Sequence, residues 1–253
     1  EMWGMDIVGP INPPSSKGHK FILAATDYFS KWAELIPLKE DKGEHVEHFI
    51  RTHLIYRFGV PSRIMSDNGG PFKNKHVDKL CSKFKIIHHY STAYNPAANG
   101  QAEAFNKTLC KLLKKVVSRN KREWHEKLLE ALWAYRTTTR TPTGMTPYSL
   151  VFGGEAVLPL EVQITSLKVA VREKLSEEEA IKLRLGELEM LEWKRLQALQ
   201  NLEAYQARMS RAFDKRVKRR SFKQGDLVLA VIRPMNVTRW MGGKFEPKWE
   251  GPY

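Results

Sequence analysis

Three acidic residues stand out by type and spacing. Asp6 interrupts the apolar run MWGMDIV, and an aspartate inside a strand costs stability unless it has a task. Asp67 sits in the stretch SRIMSDNGG, at the point where an apolar run meets a turn. Glu103 follows the loop NPAANGQ and opens a helical pattern, with 35 residues between it and Asp67. Taken singly, two of them have plain structural explanations. Asp-Asn-Gly is ordinary turn chemistry, and acids favour the first turn of a helix. Brought to one place, three carboxylates would offer hard oxygen ligands to Mg²⁺ or Mn²⁺. Without a cation they would repel one another and be partly protonated.

The elements that must position these acids follow from hydrophobic periodicity. Met2 to Val8 reads as a strand ended by Gly9 and Pro10, and INPPSSKGHK reads as a turn. FILAATDYFS and KWAELIPLK then read as an antiparallel hairpin. Val46, Phe49, Ile50, Leu54 and Phe58 recur at helical spacing, with Gly59 closing the helix and Pro61 beyond it. A short strand leads into the Asp67 turn, Asn74 opens a helix, and KIIHHYS is a further strand. AEAFNKTLCKLLKKVVS and EWHEKLLEALWAYRTT read as two helices parted near Asn120. Such an order predicts a mixed five-stranded sheet covered by helices, an α/β architecture over residues 1–140. Residues 141–175 are rich in Pro and Gly and read as an irregular strap. Residues 176–217 contain no Pro and a single Gly, and Ser176 with Glu179 makes a capping box. One helix of roughly 60 Å is expected there. Its apolar stripe predicts that it stands away from the core with Leu188, Leu199 and Leu202 exposed, and packs on other protomers. Residues 218–253 read as hairpin material of an incomplete small β-barrel, with Trp240, Phe245 and Trp249 as core aromatics and an open edge.

Lys and Arg number 42 against 28 Asp and Glu, a formal charge of +14. That balance points to a polyanionic partner, nucleic acid before a membrane surface. Cys81 and Cys110 lie 29 residues apart with no companion at zinc-ligand spacing, so neither a disulfide framework nor a structural zinc site is expected. Reduced thiols in an intracellular protein are the default. No run of 18 apolar residues exists to span a membrane. The chain opens on a strand already under way, with no signal peptide ahead of it, and closes on KWEGPY. Both ends read as cut from something longer.

DIVGP, SDNGGPF and NPAANGQAEAFNKTL resemble the three acidic blocks of retroviral and retrotransposon integrase cores. WHEKLLEALWAYRTTTRTPTGMTPYSLVFGGEAVLP and FKQGDLVL…KWEGPY resemble the integrases of plant gypsy-type elements, the latter as the start of a GPY/F module. The resemblance covers nearly the whole chain. It implies a ribonuclease H-like fold, whose element order is the one read above, and a polynucleotidyl transferase that trims element DNA 3′ ends and joins them to target DNA. It also implies two Mg²⁺ (or Mn²⁺) ions, with Asp6 bridging both, Asp67 holding one and Glu103 the other. Two ions roughly 4 Å apart can stabilise the entering and leaving oxygens of an in-line displacement. The nucleophile would be water in trimming and a DNA 3′-hydroxyl in joining, with no covalent enzyme intermediate. Implied partners are DNA, both element ends and target, and further copies of the chain; the implied place of action is the nucleus. Family members often carry Tyr-His-Pro-Gln where this chain has Tyr94, Asn95, Pro96 and Ala97, which puts DNA contacts of that loop in doubt. The zinc-binding domain that normally precedes the core is absent from the chain.

With Glu103 at zero degrees and about 100° per residue, Lys107, Lys111, Lys114 and Lys115 form a stripe that continues from the acid. Phe105, Leu109, Leu112, Leu113 and Val116 form the opposite, core face. The stripe is a candidate DNA-backbone contact, positioning without reading sequence; the alternative is a solvated face. Residues 206–223 hold eight Lys or Arg and one acid. Lys215, Arg216, Lys218, Arg219 and Arg220 there make a candidate phosphate-binding tail. His88 and His89 alternate on a strand and should face opposite ways. Against the active enzyme stand two other readings. One is a decayed or domesticated copy that binds DNA or a partner without catalysis. The other is a related ribonuclease H-like nuclease or DNA transposase, which the Gly-Gln-Ala-Glu block and the terminal Gly-Pro-Tyr argue against.

Overall fold

The structure is a computed structural model that describes residues 2–91, 100–117, 120–163, 169–171, 174–215, 220–231 and 249–253. Alternating apolar residues build strands β1 (Met2–Val8), β2 (Phe21–Asp27), β3 (Ala33–Leu38), β4 (Arg63–Ser66) and β5 (Ile87–Tyr90). They form one mixed sheet in the order β3-β2-β1-β4-β5. β1 runs antiparallel to β2, and β2 to β3, whereas β4 lies parallel to β1 and β5 parallel to β4. The predicted five-stranded mixed sheet is therefore the observed one.

Each face of the sheet carries its own core. On one, Trp3, Met5, Leu23, Ala25 and Ile64 meet helix α1 (Gly43–Phe49), the π-helical segment Ile50–Ile55 and helix α3 (Lys75–Phe84). A short helix α2 (Tyr56–Phe58) continues directly from the π segment. Asn74 caps α3 as expected, its Oδ1 accepting from the His76 and Val77 amides at 3.0 and 3.1 Å. On the other face, Ile22, Ala24 and Leu35 meet α4 (Gly100–Val116) and α5 (Leu128–Arg136) through Phe105, Leu109, Leu113, Leu128 and Leu132. The helix expected over EWHEKLLEALWAYRTT is shorter. A 3₁₀ turn (Lys121–Glu123) and a non-helical stretch precede α5, and the neighbouring residues Trp124 and His125 are both buried in that stretch.

A charged knot holds the β3 edge. Glu34 is almost wholly buried and accepts from Arg57 Nη1 at 2.7 Å, Arg136 Nη2 at 2.8 Å and Trp32 Nε1 at 2.8 Å. Arg136 also donates to the Ala33 carbonyl at 2.6 and 3.0 Å and stacks 4.0 Å from the Trp32 ring centroid. It thus occupies a backbone acceptor of an edge strand that would otherwise invite another strand. Arg57 comes from the helices of one face and Arg136 from those of the other, so one carboxylate fastens both layers to the sheet.

The chain divides into two units, Glu1–Gln206 and Ala207–Tyr253. Within the first, the strap carries helices α6 (Pro147–Phe152) and α7 (Pro159–Gln163). The long helix α8 spans Glu177–Asp214. The capping box is formed, with Glu179 Oε2 accepting from the Ser176 amide at 2.9 Å. Leu188 and Leu199 are exposed at 43% and 42%, as expected, whereas Leu202 is half-buried. The expectation that the helix stands away from the core is corrected in its middle. Arg184, Lys194 and Arg195 donate to the carbonyls of Phe152, Gly153 and Leu150 at 2.8, 2.6 and 3.1 Å. Those carbonyls close α6, where acceptors are left without helical partners and cations are favoured. Gly153, at φ +86°, lets the two helices approach: a Cβ there would meet the Glu187 carbonyl at 3.2 Å. Among the described residues of α8 only Ala198 is buried, so polar contacts rather than leucines fasten it.

The second unit, by itself, holds the end of α8 and a two-stranded pairing of β6 (Ala230–Val231) with β7 (Trp249–Glu250). Lys223 and Asp226 close its turn through a 2.8 Å amide-to-carboxylate bond. Among the described residues this pairing is all that stands for the expected barrel. Trp249 is exposed at 55% rather than core, while Trp240 and Phe245 lie outside the described residues.

Glu34→Ala is expected to destabilise the chain by about 3 kcal/mol, because Arg136 is left buried and unpaired. Arg57→Ala, whose side chain is nearly half exposed, should cost less than about 1 kcal/mol. Urea denaturation distinguishes the two, and equal losses would show that the knot acts only through exposed charges.

Candidate metal centre and nucleic-acid face

Parallel pairing sets the height of the first two acids. Gly4 lies opposite Met65, and carrying that register forward two residues brings Asp6 level with Asp67, one residue past the end of β4. Residues level across parallel strands project to the same side. Trp3 and Ile64 are paired and share the α1/α3 core. Asp6 and Asp67 therefore belong to the opposite face, the one covered by α4.

Asp6 is held on both oxygens. Its Oδ1 accepts from the Ile7 amide at 2.8 Å and its Oδ2 from Asn106 Nδ2 at 2.7 Å. Asn106 is buried, and its own Oδ1 has no hydrogen-bond partner. Residues three apart are neighbours on a helix surface, so this bond places the first turn of α4, which carries Glu103, against β1. The Glu103 side chain lies outside the described residues. Sequence reading missed Asn106; the signal was its i+3 offset from Glu103.

Asp67 is exposed, and its Oδ1 accepts from the Gly69 amide at 3.0 Å. Behind it, Ser66 is fully buried and ties the turn down. Its hydroxyl donates to the Asp67 carbonyl at 2.9 Å and lies 2.8 Å from His88 Nε2. Burial pushes the His88 imidazole down to about 4, so it is neutral at pH 7. The Ser66 proton is already committed, so His88 carries its proton on Nε2 and donates, which leaves Nδ1 as the atom without a partner. His89 is exposed. The two histidines thus part company as their alternation predicted.

Beside Asp6 an open depression of about 480 Å³ is lined by Asp6, Asn106, Lys107, Cys110, Lys111 and Lys114, with Ile7 and Val8. Lys107, Lys111, Lys114 and Lys115 are all exposed, while Phe105, Leu109 and Leu113 are buried, so the lysine stripe and the core face separate as expected. Burial raises the Cys110 thiol, which stays protonated and is a poor ligand. Among the described residues no group of three His, Cys, Asp or Glu is arranged to hold a metal; Asp6 and Asp67 supply two carboxylates. Their chemistry fits a hard divalent cation, with oxygen donors and no thiolate. In the second unit, Lys215 and Arg220 are exposed, and Arg216, Lys218 and Arg219 lie outside the described residues.

Residues 1–96 match the integrase core domain family. The match takes in Asp6 and Asp67. Along 95% of its length the chain is 28% identical to the Pol polyprotein of Radiation murine leukemia virus (strain Kaplan). Along its whole length it is 27% identical to the Gag-Pol polyprotein of Avian reticuloendotheliosis virus. It spans only 38% and 20% of those two relatives. The fold is also that of a chain in the cryo-EM structure of the simian T-cell lymphotropic virus intasome in complex with PP2A regulatory subunit B56 gamma. That likeness has a TM-score of 0.52 and 24% identity, over 59% of this chain and 53% of the other. The chain thus carries an integrase core domain on a ribonuclease H-like sheet. No helix among its described residues is long and apolar enough to cross a membrane.

A Cβ on Gly69 would lie 3.0 Å from Asp67 Oδ1 and 3.5 Å from Oδ2. Gly69→Ala must therefore displace the carboxylate while leaving the core untouched. Thermal melting should be nearly unchanged without metal. About tenfold more Mn²⁺ should be needed to reach the same stabilisation. An unchanged Mn²⁺ titration would remove Asp67 from the metal centre.

Proposed function

We propose that this chain is the catalytic core and part of the DNA-binding tail of a retrotransposon integrase of the gypsy type, a polynucleotidyl transferase that trims element 3′ ends and joins them to target DNA. The observation that carries the reading is the level placement of Asp6 and Asp67 on the α4-covered face, inside the segment that matches the integrase core. Asp6, Asp67 and Glu103 would hold two Mg²⁺ or Mn²⁺ ions. When bound, the ions neutralise charge building on the phosphoryl oxygens and on the entering and leaving oxygens.

The remaining work belongs to the chain. Asn106 fixes the rotamer of Asp6, Ser66 and His88 anchor the Asp67 turn, and the lysine stripe holds a phosphodiester backbone alongside the acids. Because Lys107, Lys111 and Lys114 line the same depression as Asp6, a duplex lying along the stripe presents its phosphates to the carboxylates. Such contacts position DNA and are indifferent to sequence. Lys215, Arg216, Lys218, Arg219 and Arg220 would add phosphate contacts from the tail. The GPY/F module, assembly with further copies and action in the nucleus belong to the same proposal. The runs FKQGDLVL and KWEGPY, the exposed leucines of α8 and the net charge of +14 support them.

Asp6→Asn, Asp67→Asn and Glu103→Gln should each reduce strand transfer by at least about a thousandfold, as loss of a charge-stabilising group does, and leave duplex binding within a factor of about three. Joining by any of the three at the parental rate would sink the metal reading. A parental chain that binds DNA yet joins none with Mn²⁺ would make it the non-catalytic remnant instead. Replacing Lys107, Lys111 and Lys115 together with Ala should weaken binding to all sequences alike and flatten the salt dependence by up to about one unit per lost phosphate contact. Gel-shift titrations at several salt concentrations measure this, and an unchanged slope would reduce the stripe to a solvated face.

A further inference from the structure

Helix α4 has a second concavity on the side away from its lysines. A hollow of about 380 Å³ lies among Ala104, Phe105 and Thr108 of α4, the segment 139–142, Leu202 and Tyr205 of α8, and Thr26 and Lys31 of the β2–β3 hairpin. Its volume falls in the range of small-molecule sites, about 300–1,000 Å³. All of it belongs to the first unit.

The lining is cationic and rich in hydroxyls. Lys31 and Arg140 supply two positive charges, and among the described residues no acid lines the hollow. Lys31 is buried, with φ +62° and its Nζ donating to the Tyr28 carbonyl at 2.6 Å. Burial depresses it to about 8 against the opposing pull of Asp27. Arg140 is half-buried; its guanidinium lies 4.2 Å from the Tyr135 ring centroid and donates to the Thr138 carbonyl at 2.9 Å. Burial lowers its pKa too. Taking cations out of water without an opposing acid is costly, and an anion is the ligand that would offset it. A second observation points the same way. Thr26 is 2% exposed, lines the hollow, and its Oγ1 has no hydrogen-bond partner. A buried hydroxyl left so costs about 1–3 kcal/mol and marks a place for an absent polar group. Thr108, Thr139, Thr141 and Gln206 surround it with further donors, and burial keeps the Tyr135 phenol protonated, at about 12. Phe105, Pro142 and Leu202 make the rest of the wall apolar.

We propose that this hollow binds a small phosphate monoester of mononucleotide size, its phosphate between Lys31 and Arg140 and its organic part against Phe105, Pro142 and Leu202. The site is separate from the acidic centre, because Asp6, Lys107 and Lys111 lie on the other flank of α4. Binding needs neither divalent metal nor DNA.

Isothermal titration calorimetry of the whole chain with thymidine 5′-monophosphate, in metal-free buffer, tests it. Thymidine 5′-monophosphate should bind at one site, inorganic phosphate more weakly, and thymidine not at all. Arg140→Gln should weaken binding at least about tenfold, the equivalent of one charge-assisted hydrogen bond. Thr139 is exposed at the rim, so its replacement spares the fold. Thr139→Glu should abolish binding by repulsion and Thr139→Gln should retain it. The triple lysine variant of the stripe should bind as the parent does, which keeps this test apart from that of integration. No heat with thymidine 5′-monophosphate, equal binding of thymidine, or loss of binding in the stripe variant would each overturn the proposal.

Discussion

The site depends on one register. β1 and β4 are not sequence neighbours, yet their parallel pairing decides which residues stand level beside each other. A slip of one residue would turn Asp67 to the other face of the sheet, into the apolar core beneath α1 and α3. Many contacts on that side resist the slip. Trp3, Met5 and Ile64 are buried there together, and Ser66 is held between the Asp67 carbonyl and a neutral His88. The catalytic geometry is thus set from behind, by groups on the side of the sheet that no substrate touches.

The opposite side of the arrangement is built from α4. One flank of this helix packs on β1 and β2, one carries lysines, and its first turn carries Glu103. The Asn106 amide couples the helix to Asp6, so packing, charge and acid share a single rigid element. A buried amide with one committed end and one unsatisfied oxygen is an expensive feature. Its location beside the carboxylate pair accounts for why such a residue stands there at all.

Much of this was readable because its causes are local. Strand alternation, the Asn74 cap, the Ser176–Glu179 box and the division of α4 into lysine and core faces each depend on residues within a few positions of one another. The level placement of Asp6 and Asp67 was anticipated by spacing and family likeness, whereas Asn106 was not, since its partner is 100 positions away. The Glu34 knot was hidden for the same reason: its arginines come from two separate helices. The contacts of α8 with α6 were also out of reach. A leucine-rich stripe suggested an apolar partner, but the acceptors that Arg184, Lys194 and Arg195 find exist only once α6 has ended where it does. The split before α5 likewise reflects two adjacent side chains, Trp124 and His125, that are both buried, which one straight helix face does not provide.

The π-helical turn at Ile50–Ile55 has a bearing on which length changes the family of this fold can absorb. A π turn contains one residue more than the α turn it replaces. Deleting a single residue there would let the segment relax to an ordinary helix and rotate everything after it by about 100°. Arg57 would swing away from Glu34, and the partner on the far side, Arg136, would be left to balance that carboxylate alone. Insertions are harmless in surface loops because no angle is counted across them. Here an angle is counted, and the extra residue is a phase setting that joins the winding of one helix to the neutrality of a buried charge.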